Sequence, residues 1–494
     1  MEILKDVRVR FAPSPTGFVH IGSLRTALFN YFFAKHNNGK NILRIEDTDQ
    51  TRKVDGAVEN LIRVMSSLGI EFDEGPVQAG DHGPYYQSER LSIYRKYSDG
   101  LVSIGAAYYA FETPEELDEM RKLQQLEGKQ TMYDRRARDL REEDIQKNLE
   151  KGIPHVIRLK VPLDEEIRFD DMIKGTIKID SNIIDDQILI KSDGFPTYHL
   201  ANVVDDHLME ITHIIRGEEW VTSVPKHIII YRALGWKIPE MAHVPLILNR
   251  DKSKLSKRQG DVAVEDYLKK GYLKESIINF IALLGWNPGE GEEQEFFAIE
   301  DLIKKFTLKK VQSSGAVFNV DKLNWMNNEY IKNYDVDKLT ELSLPYFAEA
   351  GFDISDRGLL KKILTAIRVY LNKLSDISEY LKIFSQEDVE IENEKLIEIL
   401  NSDSTKKVLS LLSRKIKKLD VVNSDNYKTA IEEVKNETGA KGKLLFKPVR
   451  IAITGSENGP ELPAVAEILG KEKILHFLKK WIVEDPPEDS PPAV

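Results

Sequence analysis

The chain has no cysteine among its 494 residues. Disulfides and thiolate nucleophiles are thereby excluded, and so are the usual ligands of a structural zinc. A metal would have to be held by oxygen or imidazole, or arrive bound to a substrate. Long apolar runs are missing too: the best, Ile277–Gly285, is broken by Asn279, and nothing spans a bilayer. Met1–Arg10 mixes Glu2, Lys5, Asp6 and Arg8 with apolar residues and offers no signal-peptide core, so a cytoplasmic location is expected. Finally, there is no excess of positive charge. The net charge of −11 has the wrong sign for a nucleic-acid binder, whose affinity draws on phosphate neutralisation. Lys304–Lys310 and Lys406–Lys418 are nevertheless locally basic, and local patches matter more than the sum.

What is present is an ordinary globular composition, 41% hydrophobic and 31% charged, in a chain long enough for about three or four domains. Val7, Val9 and Phe11 alternate with Arg8 and Arg10, the period of a strand. Pro13–Gly17 reads as a turn, and Leu24, Ala27, Leu28, Tyr31 and Phe32 recur at helical spacing up to Asn38-Gly39. A strand over Asn41–Ile45 and an amphipathic helix over Gly56–Leu68 follow. Strand, helix, strand, helix opens an α/β nucleotide-binding fold with a parallel sheet. From about Tyr108 to Asp185 the pattern changes to charged helical stretches, Pro114–Gly128 and Arg135–Lys151, and then short strands, as in an insertion. The α/β pattern resumes near Gln187 and runs to about Asn249. Beyond Tyr330 strand signals nearly vanish and an all-helical half is expected; the tail Glu484–Val494, with four prolines, is expected to be disordered.

Two short segments carry chemistry. His20-Ile21-Gly22-Ser23 stands at the start of the first helix, where free N–H groups and the dipole favour a phosphate. Asp251–Gly260 crowds Lys252, Lys254, Lys257 and Arg258 into one loop, able to neutralise charge on a departing pyrophosphate. Taken singly, the first reads equally as a helix cap with a surface histidine and the second as a solvated basic loop.

Together they resemble the paired HIGH and KMSKS motifs of class I aminoacyl-tRNA synthetases, here His20–Ser23 and Lys254-Leu255-Ser256-Lys257-Arg258. Ser23 stands where the motif has its second histidine. Arg10–Gly17 and Arg44-Ile45-Glu46-Asp47-Thr48-Asp49 look like the glutamyl branch of that family, and Leu283–Pro288, Phe318–Tyr330 and Gly459–Pro463 suit its bacterial type. The resemblance reaches to near residue 484. Glutaminyl-tRNA synthetases share the catalytic fold but fit Ala12–Pro15 and Ile45–Asp49 less well. A truncated relative would lack the helical half, a non-catalytic paralogue need not keep the loop lysines, and a small-substrate nucleotidyltransferase leaves the helical half unexplained.

The resemblance implies a Rossmann-type α/β catalytic domain in two halves (1–107 and 186–250), split by an acceptor-end α+β module (108–185). A signature-loop and stem-contact domain (251–330), a helical anticodon-binding region (331–484) and a tail (485–494) would follow. It implies ATP-dependent joining of L-glutamate to the 3′ end of tRNA(Glu), with Mg2+ accompanying ATP; whether tRNA(Gln) is charged as well stays open. Glutamate carries two carboxylates and an ammonium, so two arginines and one acid are wanted, and Arg10, Glu46 and Arg216 stand at the ends of strand-like runs. By resemblance, Arg10, Ala12, Ser14, Glu46, Tyr198, Asn202 and Arg216 would line the glutamate site. Thr16, Gly17, His20, Gly22, Glu219, Trp220, Ile247, Lys254 and Lys257 would hold ATP, with His20, Lys254 and Lys257 acting on the phosphates. The cluster Asp205-Asp206-His207 reads as a strand-end turn and receives no ligand role. Many relatives hold zinc in the inserted module, but Ala110, Glu112 and Ala137 stand at the cysteine positions, so no zinc is expected and helix packing must hold that module. A monomer is expected.

Overall fold

The structure is a computed structural model describing residues 3–49, 51–255, 263–289, 291 and 293–482. Lys257, Ser256 and Arg258 of the basic loop, and the tail 485–494, lie outside the described residues. The chain forms two compact units, Met1–Tyr267 with Ile277–Asn319, and Leu268–Ser276 with Val320–Val494.

In the first unit, β1 (Arg8–Phe11) leads through the Pro13–Gly17 turn into α1 (Ile21–His36) and then β2 (Lys40–Leu43). Leu24, Ala27, Leu28, Tyr31 and Phe32 of α1 are all buried, but so are Phe29, Phe33 and Ala34 on its other faces, so the helix is enclosed and not one-sided. The chain continues through α2 (Ala57–Ser67), α3 (Leu91–Ser103), β3 (Ala107–Ala110), α4 (Pro114–Leu126), α5 (Glu142–Glu150), β4 (Val156–Leu159), β5 (Glu166–Asp171), β6 (Gly175–Asp180) and β7 (Ile188–Ile190). It closes with α6 (Tyr198–Leu208), β8 (His213–Gly217), α7 (Val224–Ala233), β9 (Glu240–Val244), β10 (Ile247–Leu248) and, late in the sequence, β11 (Ala316–Val317) beside β10.

β1 pairs in parallel with β2, Arg8 opposite Lys40 and Phe11 opposite Leu43. On its other side the Thr212 N–H, just ahead of β8, donates to the Arg8 carbonyl at 2.9 Å. β8 and β5 both lie parallel to β9, with antiparallel β6 beyond β5. The first strand therefore sits in the middle, with β2 on one flank and β8 on the other. Where strand order reverses, the connections leave in opposite directions and open a crevice at the carboxyl ends.

The inserted segment differs from expectation in two respects. The helix expected over Arg135–Lys151 is only Glu142–Glu150. Ahead of it Arg135 takes φ 64°, Asp134 accepts from Arg136, and Arg135 and Arg138 both turn inward to the buried carboxylate of Asp186 (3.4 and 3.5 Å). Nor is the module held mainly by helix packing. α5 buries no residue and α4 only Met120; Tyr108, Ala110, Met120, Tyr133 and Ala137 form a small core instead. Tyr133 ties it together, accepting from the Ala137 N–H (3.1 Å), donating to Glu112 (2.9 Å) and carrying the Arg158 guanidinium 3.8 Å above its ring.

The second unit is helical and contains no strand among its described residues. Its helices run from Val320–Asn333 to Leu462–Lys479, and their apolar stripes meet in one core that includes Leu364, Leu412, Val434 and Ile451, all fully buried. Asp335, Asp356, Ser402 and Asn423 cap helix starts with their side chains, each worth about 1 kcal/mol.

Candidate active site

A cavity of about 490 Å3 opens at the crevice between β1 and β8. Its lining includes Arg10, Ala12, Ser14, Thr16, His20, Gly22, Glu46, Tyr198, Asn202, Arg216, Glu219, Trp220, Ile247 and Lys254. Gly17 lines a smaller hollow of about 210 Å3 beside it, together with Thr16, Phe18 and His20. Thus the segments around residues 10, 20, 46, 200, 216 and 250 converge on one place. Lys257 alone of the expected site residues falls outside the described ones; Leu255 and Ala263, before and after it, are hydrogen-bonded to Ile247 and bridged to His20.

One wall is α6. Tyr198, Asn202 and Asp206 follow one another at four-residue spacing, which stacks them on a single helical face. The Asp206 carboxylate grips Arg10 with both oxygens (3.0 and 3.3 Å) and also accepts from Arg44 Nη1 (2.7 Å). Arg44 is wholly buried; its Nη2 donates to Glu46 (3.1 Å) and its Nε stands 3.7 Å from Asp205. Asp205 in turn accepts from Arg90, Gln87 and Tyr94 at 2.7–2.9 Å. The Asp205-Asp206 pair is therefore no strand-end turn. It lies near the end of α6 and holds the guanidiniums beneath the cavity, while His207 stacks on Trp236 with centroids 3.8 Å apart. Burial pushes the Asp206 carboxyl up, but Arg10 and Arg44 outweigh it and hold it below the usual range. For Glu46, burial prevails over Arg44 and Arg10, and its carboxyl is raised.

Arg216 comes from the end of β8. Its Nη1 donates to the Tyr198 hydroxyl (2.6 Å) and its Nε to His243 Nε2 (3.0 Å). Its Nη2 is buried without a hydrogen-bond partner, and so is Asn202 Oδ1, whose amide nitrogen donates to Glu46 (3.2 Å). One orphaned donor and one orphaned acceptor thus belong to residues of the same cavity wall. Buried polar groups left this way cost free energy until a partner arrives, on the order of 1–3 kcal/mol each.

At the other end, His20 caps α1: its Nδ1 accepts from the Ser23 N–H (3.2 Å) and its Nε2 lies 2.9 Å from the Ser23 hydroxyl. A Cβ on residue 22 would meet that imidazole at 3.1 Å, so glycine leaves the ring its place. Trp220 lies against Tyr198, ring centroids 4.1 Å apart. Lys254 is carried by a turn folded back on β10: Leu248 and Lys254 bridge, and Asp251 accepts from Ser253 (2.9 Å). The arrangement offers cationic groups for an anion, a carboxylate and amide for a cation, and a helix N-terminus with a lysine for phosphates.

Sequence reasoning missed Arg25, His243 and the Asp205-Asp206 pair. Arg25 lines the cavity and donates to the Leu284 carbonyl (3.1 Å) and to that of Pro245, but in the sequence it is one charge inside an apolar helix. His243 hides in the apolar run Met241–Ile247.

A family model for class I tRNA synthetases (E and Q), catalytic domain, matches residues 6–325, and one for an anticodon binding domain matches residues 338–482. The glutamate–tRNA ligase of Clostridioides difficile (strain 630) is 47% identical over 484 residues, 95% of this chain and 98% of the relative. That of Alkaliphilus metalliredigens is 45% identical over 495 residues, 97% of this chain and 100% of the relative. A crystal structure of a glutamate tRNA ligase from Elizabethkingia meningosepticum, in complex with its amino acid, superposes with a TM-score of 0.90 at 37% identity, covering 96% and 99% of the two chains. With a parallel sheet that reverses order at the cavity, a phosphate-type helix start, and these matches over nearly its whole length, the chain belongs to the class I tRNA synthetases of the glutamate and glutamine branch.

Proposed function

We propose that the chain is a glutamate–tRNA ligase, which activates L-glutamate with Mg-ATP and transfers it to the 3′-terminal adenosine of tRNA(Glu). The observation that carries the reading is the unmatched pair in the cavity wall, Arg216 Nη2 and Asn202 Oδ1, beside a buried Glu46 whose carboxyl is raised. An amino acid supplies both missing partners, a carboxylate for the arginine and an ammonium for the amide and Glu46. A second carboxylate would meet Arg10, whose Nε and Nη2 are already taken by Asp206, so Nη1 remains to meet it. Ala12 and Ser14 lie alongside. Thr16, Gly17, Gly22, Glu219, Trp220 and Ile247 surround the place for the adenosine and phosphates of ATP.

In the first step a glutamate carboxylate oxygen attacks the α-phosphorus, giving glutamyl-adenylate and pyrophosphate. In the second a ribose hydroxyl of the terminal adenosine attacks the activated carbonyl and AMP leaves. No bond to the protein forms, so the rate rests on alignment and on charge stabilisation by His20, Lys254 and Lys257. The helical unit would read the anticodon, the small Tyr133-centred module would receive the acceptor end, and the enzyme would act as a cytoplasmic monomer. Among the described residues, no helix is long and apolar enough to cross a membrane.

The test is charging of purified tRNA(Glu) and tRNA(Gln) with labelled glutamate and Mg-ATP. Label on tRNA(Glu) supports the reading, and label on tRNA(Gln) as well would extend it to a second acceptor. Label on neither overturns it.

A further inference from the structure

Asp171 closes β5, in a segment read from sequence as part of the insertion, yet it bonds His243, which in turn bonds Arg216 of the cavity wall. Its Oδ1 accepts the backbone N–H of Ile173 (2.9 Å) and Lys174 (2.8 Å). Its Oδ2 accepts the His243 N–H (3.1 Å) and stands 2.6 Å from His243 Nδ1. The other ring nitrogen, Nε2, accepts from Arg216 Nε at 3.0 Å. These partners assign the proton without ambiguity. An arginine Nε–H can only donate, so Nε2 must be bare; the hydrogen is on Nδ1 and goes to the carboxylate. Asp171, His243 and Arg216 are all buried, so none of the three interactions is shared with bulk water.

From this geometry we infer that His243 and Asp171 are positioning residues for glutamate, acting through the orientation of Arg216. Asp171 fixes the imidazole tautomer. The imidazole then fixes the guanidinium plane at Nε, Tyr198 fixes it at Nη1, and Nη2 is turned out unpartnered for the substrate carboxylate. The inference rests on the glutamate reading above. Burial also disfavours a charged His243, in keeping with a ring that must stay an acceptor.

The relay makes a substitution of one atom informative. In Asp171→Asn the carbonyl oxygen is held in the Oδ1 position by the Ile173 and Lys174 N–H groups. The amide nitrogen then faces His243 Nδ1 as a donor. The imidazole must accept there and carry its hydrogen on Nε2, opposite the Arg216 Nε–H, and the two donors oppose one another. His243→Asn keeps a group near Nδ1 but loses the acceptor for Arg216. His243→Gln places a carbonyl near the Nε2 position and restores it.

The experiment is steady-state charging of tRNA(Glu) by the full-length enzyme, reading KM for glutamate, KM for ATP and thermal unfolding. Expected are increases of about ten- to hundredfold in glutamate KM for Asp171→Asn and His243→Asn, with ATP KM unmoved. His243→Gln should recover most of that loss. In Asp171→Asn/His243→Gln there is no tautomer to invert. The backbone N–H of residue 243 keeps the Oδ1-position oxygen, 3.3 Å away in the wild type, as its acceptor. The double variant should therefore match His243→Gln alone in glutamate KM. Additive penalties, or a lowered unfolding temperature with unchanged glutamate KM, would overturn the relay while leaving the ligase reading intact. A wild-type enzyme that charges no tRNA with glutamate would instead remove the reading on which the relay rests.

Discussion

The two units bury different things. The first encloses Arg10, Arg25, Arg44, Glu46, Asp47, Arg90, Arg158, Asp171, Asp186, Asp205, Asp206 and Arg216. Among the described residues of the helical unit, Asp376 is the sole acidic or basic side chain in the buried set, and the rest of its polar interior is Ser, Thr and Asn. A buried ion pair contributes little net stability, because desolvation offsets the attraction. Leucines and isoleucines stabilise with no such offset. The first unit therefore forgoes part of that apolar stabilisation and holds guanidiniums at fixed angles, as the site proposed for glutamate would require. The described residues of the helical unit instead meet in a core rich in leucine, isoleucine and valine, with few polar side chains among them.

The contrast can be broken by substitution. Arg216→Ala should reduce kcat/KM for glutamate by about a thousandfold, since it leaves a substrate carboxylate buried without its partner. A loss below tenfold in the charging assay would show that the buried charges of the first unit are not arranged for the substrate. Leu412→Ala, in the helical core, should cost about 2–5 kcal/mol of that unit's stability by denaturant unfolding. Glutamate KM should not change, and a parallel change would erase the distinction. Lys254→Ala should slow charging by about a hundredfold, through lost phosphate stabilisation, with calorimetric glutamate affinity preserved.

Acid sharpens the comparison by a smaller effect. Burial lowers His199 to about 3 and His213 to about 4, against an ordinary 6.5, and also lowers His207, His227 and His243. Such histidines are neutral when folded, and the unfolded chain takes up protons first as pH falls. Their contribution is complete above 6.5 and declines below it, until the folded groups themselves protonate near 4 and 3. The helical unit has one histidine, the exposed His476. Between pH 6.5 and 4, hydrogen exchange should therefore show the first unit loosening while the helical unit holds. Loosening of the helical unit first would contradict this account.

Much of the fold is legible in the residues themselves. Val7, Val9 and Phe11 alternate, the apolar residues of α1 are buried in a helix, and Gly56 and Gly69 take left-handed φ at either end of α2, where the sequence places the helix limits. The residues that converge on the cavity are legible as well, because the segments that carry them, such as His20–Ser23 and Arg216–Trp220, are short and local. What escapes is pairing over distance. Nothing near Arg44 in the chain announces Asp206, and Asp171 sits in a strand whose alternation otherwise marks surface charge. His243, among apolar neighbours, looks like packing. Arg135–Lys151 has helical composition throughout, yet the pull of Asp186 on Arg135 and Arg138 unwinds its first half. Local propensity loses there to a buried charge that only the folded chain creates.

β5 belongs to two histories at once. By position in the chain it travels with the inserted module, but it pairs with β9 and hands Asp171 to His243, the partner of Arg216. The module is therefore not a cassette that recombination can exchange freely. A chimera cut at 107 and 186 inherits the donor's partner for His243 along with the rest of the inserted module, whereas a downstream cut between Leu163 and Glu165 leaves the host's own Asp171 in place. Lineages that shuffle this segment would have to keep the aspartate–histidine match across the junction.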